Sequence, residues 1–90
     1  MPSLWVVAWD DQALKDLKKL DRQAQKEILR FLQERITTSE DPRRFGKPLS
    51  ANKKDLWRYR GGDYRILSKI ENETITVLVL AVGHRKNIYD

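Results

Sequence analysis

The chain of 90 residues contains no cysteine. That excludes a disulfide framework and any thiolate metal site, and it points to a reducing compartment. There is one histidine and no carboxylate cluster in the basic half of the chain, so neither a metal nor another cofactor is expected. No apolar run approaches the ~18 residues that a membrane span needs. The opening MPSLWVVAWDD lacks the basic start and small-residue cleavage site of a secretory signal, so the expected location is cytoplasmic. Glycine is scarce and forms no phosphate-cradling pattern; Gly61-Gly62 reads as a hairpin turn, and no nucleophile elbow occurs. A chain this short, far below the ~250 residues at which domains split, is expected to form one domain over residues 1–90.

Charge is abundant and unevenly placed. The formal net charge is +5, yet residues 1–42 carry seven Lys/Arg against eight Asp/Glu, a balance of −1. Residues 43–90 carry eleven against five, a balance of +6. The excess positive charge therefore lies from Arg43 onward, which suits nucleic acid or another acidic partner.

Leu4 to Trp9 is short, apolar and rich in Val and Trp, which predicts a strand covered on both faces. Asp10 or Asp11 is placed to cap a helix with Leu14, Leu17 and Leu20 at helical spacing. Asp21 caps a second helix running to about Ile36, with Ala24, Ile28, Phe31, Leu32 and Ile36 as its apolar stripe. The two form an αα-hairpin whose charges balance, and it reads as scaffold. Residues 37–55 break the pattern with two prolines and Gly46, predicting a long connection that is either functional or hides a short element. Arg43 and Arg44 within it read as solvated.

Three apolar runs follow, separated by Gly61-Gly62 and Glu71-Asn72-Glu73, the pattern of an antiparallel meander. Alternation in 56–60 sets Trp57 and Tyr59 on one face and Arg58 and Arg60 on the other. In 63–70, Tyr64, Ile66 and Ile70 share a face and Arg65 takes the opposite one. Residues 74–82 are apolar on both faces, as in a central strand that delivers His84 and Arg85 at its end. The expected fold is α+β, in the order β-α-α-β-β-β, with a helical hairpin on one face of a small, mainly antiparallel sheet. Arg58, Arg60 and Arg65 are left to the other face, with Arg85 at its rim. Arginine binds phosphate bidentately and keeps its charge, while histidine and tyrosine can move protons. Such a set suits either RNA cleavage through the 2′-hydroxyl or simple binding of RNA or an acidic protein.

The segments GKPL (46–49), LWRYR (56–60), GDYRIL (62–67), ITVLVLAVGHR (75–85) and the closing IY (88–89) resemble RelE-type toxins of the RelE/ParE superfamily over nearly the whole chain. The resemblance implies a toxin–antitoxin module whose toxin enters the ribosomal A site. There it cuts the exposed mRNA codon without a metal, as an endoribonuclease, leaving a 2′,3′-cyclic phosphate. It implies a cognate antitoxin that wraps the toxin in a hetero-oligomer. By the same resemblance Arg65 and Arg85 match the transition-state and acid-handling arginines, and Tyr89 matches a stacking aromatic. Arg58 and Arg60 fall where some relatives place paired lysines, and arginine cannot serve as a base. His84 is then the first candidate for that role, with Lys47, Lys53 or Lys54 reaching in from the loop and otherwise binding RNA. ParE-type relatives share the fold and poison DNA gyrase instead, so a non-enzymatic gyrase-binding toxin is the alternative.

Overall fold

Residues 3–49 and 55–84 are described by a computed structural model of the chain. Strand β1 (Val6–Trp9) leads directly into helix α1 (Asp11–Lys19), and α2 (Arg22–Phe31) follows after two residues. Both helices begin where a short acid can take up an orphan amide. Asp10 accepts from the Gln12 amide at 3.0 Å and Asp21 from the Ala24 amide at 2.7 Å, caps worth ~1 kcal/mol each. The helical path of α2 continues to Ile36 as a π-helical turn, Leu32–Ile36. The apolar stripe therefore reaches the residue at which the sequence pattern ends.

The connection after Ile36 does hide structure. A 3₁₀ helix, Pro42–Phe45, is capped by Asp41 and runs into a three-residue strand, β2 (Gly46–Pro48). Strands β3 (Leu56–Gly61), β4 (Tyr64–Glu71) and β5 (Thr76–His84) complete a five-stranded sheet in the order β1-β5-β4-β3-β2. Only β1 and β5 run parallel; the other neighbours are antiparallel. The architecture is the expected α+β one, with one strand more than the sequence pattern disclosed.

Two expectations about strands need correction. β1 lies at the edge of the sheet rather than between covering layers, and Val6 is 56% exposed. Its apolar run is spent on pairing with β5 and on contacts of Trp5, Val7 and Trp9 with the core. β5 begins at Thr76 rather than Thr74, because residues 72–75 form the turn. Ile75 there has φ +50°, in the left-handed region that β-branched residues avoid, and its carbonyl accepts the Val6 amide at 2.9 Å. That bond starts the parallel pairing, so the strained turn is coupled to the attachment of β1.

The helices cover one sheet face. Ala13, Ile28, Leu32 and Ile36 meet Tyr59, Ile66, Ile70, Val77, Val79 and Val82, all nearly inaccessible to solvent. A register shift at Leu67/Ser68 leaves Leu80 without a partner between Val79 and Ala81. This bulge lets Val79 and Val82, three residues apart, both face the helices. Past the end of β1, the Val82 amide donates to the Asp16 carboxylate at 3.3 Å, which ties α1 to β5.

Tyr59 is at the centre of this packing. It is fully buried, its hydroxyl donates to the Pro42 carbonyl at 2.8 Å, and its ring lies 5.7 Å from that of Phe31 at a tilted angle. Burial pushes its hydroxyl up to about 12 from an ordinary value of 10.0. Across that interval the folded state keeps a proton that the unfolded chain releases. The associated stability is therefore complete below pH 10.0 and is lost as pH rises towards 12. Tyr59→Phe should cost about 1–3 kcal/mol in urea unfolding at neutral pH, because the buried Pro42 carbonyl loses its donor. The same variant should show a shallower loss of stability between pH 10 and 12 than the parent; an unchanged alkaline limb would dissociate Tyr59 from it.

Candidate nucleic-acid interface

Residues paired directly across strands project from the same sheet face. Tyr59 pairs with Ile66 on the helix side. One residue along the strands, Lys47 pairs with Arg58, Arg58 with Leu67, Arg60 with Arg65, and Arg65 with Gly83. Lys47, Arg58, Arg60 and Arg65 therefore share the face that the helices leave uncovered. Two of these pairs, Lys47–Arg58 and Arg60–Arg65, set like charges opposite each other across adjacent strands, which concentrates positive charge on this face. A small hollow of about 80 Å³ opens there, lined by Phe45, Gly46, Lys47, Arg58 and Arg60. Arg65 is half-buried with its Nε shielded from solvent.

The floor of the hollow depends on a close fit. A Cβ on Gly46 would lie 2.8 Å from the Arg58 carbonyl oxygen and 2.9 Å from the Tyr59 ring. Glycine is thus what lets β2 lie against β3 and brings Lys47 beside Arg58. Phe45, at the rim, is covered by the Arg44 guanidinium at 4.2 Å and the Arg35 guanidinium at 5.2 Å. Arg44 also pairs with Glu40. Arg43 pairs with Asp41 at 3.1 Å, donates to the Asn72 side chain at 2.7 Å and sits 5.8 Å over Trp57. The two arginines that read as solvated loop residues are clasps: they hold the 3₁₀ helix to the β4–β5 turn and to the rim.

His84 pairs with Tyr64, which sets it on the helix side and not among the arginines. It lines a groove of about 350 Å³ with Asp16, Lys19 and Leu20 of the helical hairpin. Its neighbour Tyr64 is hydrogen-bonded to Glu27 of α2. That bond, followed by burial, pushes the Tyr64 hydroxyl up to about 12, and Glu27 is held below the ordinary carboxylate range chiefly by the same bond. Arg85 and Tyr89, and Lys53 and Lys54 of the loop, lie outside the described residues. Of the expected set the structure thus gathers Lys47, Arg58, Arg60 and Arg65 on one face and sets His84 behind it. The part of Gly46 was missed, because a three-residue strand is too short to show alternation. The sequence signal that existed was a lone glycine flanked by aromatic and basic residues.

Two helices packed on this mixed five-stranded sheet, with a cationic open face, define the RelE-like class of small α+β proteins. The toxin–antitoxin complex RelBE2 of Mycobacterium tuberculosis contains a chain that superposes with a TM-score of 0.83 at 30% identity, covering 97% of this chain and 98% of that one. The RelB–RelE complex of Methanococcus jannaschii gives 0.72 at 25% identity, covering 92% and 95%. Toxin RelG of Mycobacterium tuberculosis is 34% identical over 85 residues, 94% of this chain and 95% of the relative. The family described as "ParE toxin of type II toxin-antitoxin system, parDE" matches residues 7–89. The chain belongs to this family of type II toxins, within the RelE/ParE superfamily.

Because the fit at Gly46 is against backbone as well as a buried ring, Gly46→Ala should destabilise the fold by about 1–3 kcal/mol. Urea unfolding checks this, and full stability in the variant would mean that β2 can shift freely.

Proposed function

We propose that this toxin is a ribosome-dependent mRNA endonuclease that cuts codons in the A site without a metal. The observation that carries the reading is the gathering of Lys47, Arg58, Arg60 and Arg65 on one face of the sheet by cross-strand register. RNA phosphate fits the geometry of guanidinium groups held on a rigid sheet. In the reaction the 2′-oxygen attacks the adjacent phosphorus as its proton passes to a base, and the bond from phosphorus to the 5′-oxygen breaks. The leaving oxygen takes up a proton, and the products are a 2′,3′-cyclic phosphate and a 5′-hydroxyl. Arg65 and Arg60 stabilise the charge that grows on the non-bridging oxygens, Arg58 holds the flanking phosphate, and Arg85 offsets the charge on the leaving 5′-oxygen, which takes its proton from water. Tyr89 stacks on a base. Lys47 shares the face with the arginines and, once neutral, can accept a proton, which arginine effectively cannot; His84 is displaced from that face. Lys53 and Lys54 extend the RNA contact.

The partner that restrains this activity is a cognate antitoxin bound in a hetero-oligomer in the cytoplasm. Supporting this, solved relatives include the toxin–antitoxin complexes RelBE2 of Mycobacterium tuberculosis and RelB–RelE of Methanococcus jannaschii. A second reading, a gyrase-binding toxin without chemistry, is favoured by the family description, which is that of ParE.

Primer extension on mRNA from cells expressing the toxin separates the two. Cuts within translated codons are expected, and intact transcripts accompanied by gyrase-dependent DNA breaks would establish the second reading instead. Arg65→Ala should slow cleavage ~10²-fold or more with little change in urea midpoint; wild-type cleavage by that variant would remove Arg65 from the reaction.

A further inference from the structure

The open face of the sheet has a second character besides its charge. Val77 and Val79 pack in the core with the helices, so Leu78 between them projects to the other side, and its partner Ala8 on β1 projects with it. Val6, paired with Thr76, follows the same alternation. The bulge at Leu80 shifts the phase of β5, which sets Ala81 on this face opposite Leu67. Leu67, Leu78, Ala81 and Ala8 are partly exposed, and Val6 is 56% exposed. Together they form an aliphatic strip from the middle of β4 across β5 to β1.

The cations occupy the other part of the same face. Lys47 stands on β2, Arg58 and Arg60 on β3, and Arg65 at the start of β4. One row across the sheet shows the division: Lys47, Arg58, Leu67 and Ala81 follow one another on four adjacent strands. Neighbouring strands lie ~4.8 Å apart, so charge gives way to hydrocarbon within one strand spacing. The pair Leu56–Lys69 mixes the two characters. Glu71, paired with Thr76, is the acid that the register sets on this face among the described strand residues, and it lies at the far end from Arg60 and Arg65.

A ligand that fits such a face is charged along one edge and apolar along the other. A single polynucleotide strand has that form, with phosphates on one edge and unpaired bases on the other. An amphipathic acidic helix carries its charges on both margins of its apolar stripe, whereas here cations flank the strip on the β3 side and the sheet edge bounds it on the other. We infer that the strip of Leu67, Leu78, Ala81, Ala8 and Val6 is a nucleobase-binding surface. A single RNA strand lays its phosphates on Lys47, Arg58, Arg60 and Arg65 and its bases over the strip. That the strand is RNA rests on the proposed function above. The side chains of the strip carry no donor or acceptor, and the neighbouring Thr76 hydroxyl donates to the Thr74 carbonyl at 2.9 Å. Bases are therefore held by desolvation and not read by their edges, so the surface takes any base.

The test is fluorescence anisotropy of the full chain with a short single-stranded oligouridylate carrying 2′-O-methyl groups, which block attack by the 2′-oxygen. An abasic strand with the same number of phosphates is the comparison. The wild-type chain should bind the intact strand ~10-fold more tightly than the abasic one. In the double variant Leu67→Thr, Leu78→Thr, threonine keeps the strand preference and that advantage should vanish. The slope of log K against log salt should stay unchanged, because the phosphate contacts remain. Arg58→Ala should do the reverse, lowering the slope by about 0.7 and keeping the advantage of the intact strand. Oligocytidylate should bind within ~2-fold of oligouridylate. Equal affinity of the wild-type chain for intact and abasic strands would overturn the inference, and that comparison needs no variant. So would an undiminished advantage in the double variant, or in Leu78→Thr alone, at a urea midpoint near that of the parent. A folded double variant that binds both RNAs as the parent does, yet has lost the cognate antitoxin, would overturn it too and assign the strip to that partner. Failure of the cleavage reading shows separately: a chain with the expected preference that leaves mRNA intact refutes only that reading.

Discussion

The burial of Tyr59 is the constraint on which the rest of the structure leans. Its ring is shared by four elements: α2 through Phe31, the 3₁₀ helix through the Pro42 carbonyl, β2 through the Gly46 backbone, and β3 itself. Because strand residues alternate, fixing Tyr59 inward fixes Arg58 and Arg60 outward. A one-residue slip of β3 would bury two guanidiniums and expose the tyrosine, at a cost no domain of this size could absorb. The same side chain that closes the core therefore aims the basic face.

That face gathers like charges, and the remainder of the chain holds it in shape. The clasps of Arg43 and Arg44 hold the rim, while Arg58, Arg60 and Arg65 are aligned on a rigid sheet. Arginines of similar sequence context thus divide into two uses. Those beside Asp41, Glu40, Trp57 and Phe45 stabilise the fold through pairing and stacking. Those in strand alternation present their charge. Rigidity matters because charges held in place stabilise a transition state without reorganising.

Much of this was legible because the signals are local. Asp10 and Asp21 announce helix starts, Gly61-Gly62 a hairpin, and the alternation of Trp57 to Arg60 a strand with two characters. The register that pairs Arg60 with Arg65 follows from the two-residue turn between them. Less legible were features set by distant partners. Nothing within LWVVAW tells an edge strand from a covered one, since a parallel partner seventy residues away, Val6 to Thr76, decides it. β2 is defined by pairing to β3 and by the Gly46–Tyr59 fit rather than by its own three residues.

By itself the sequence determined the element order, the α+β class, which arginines leave the core, and the resemblance to RelE-type toxins. These rest on periodicity, caps and turns, which act over a few residues. Only the tertiary structure decided that His84 lies behind the basic face and that Lys47 lies on it. Those outcomes depend on cross-strand register, a bulge at Leu80 and contacts between chain segments far apart, and no window of neighbouring residues contains that information.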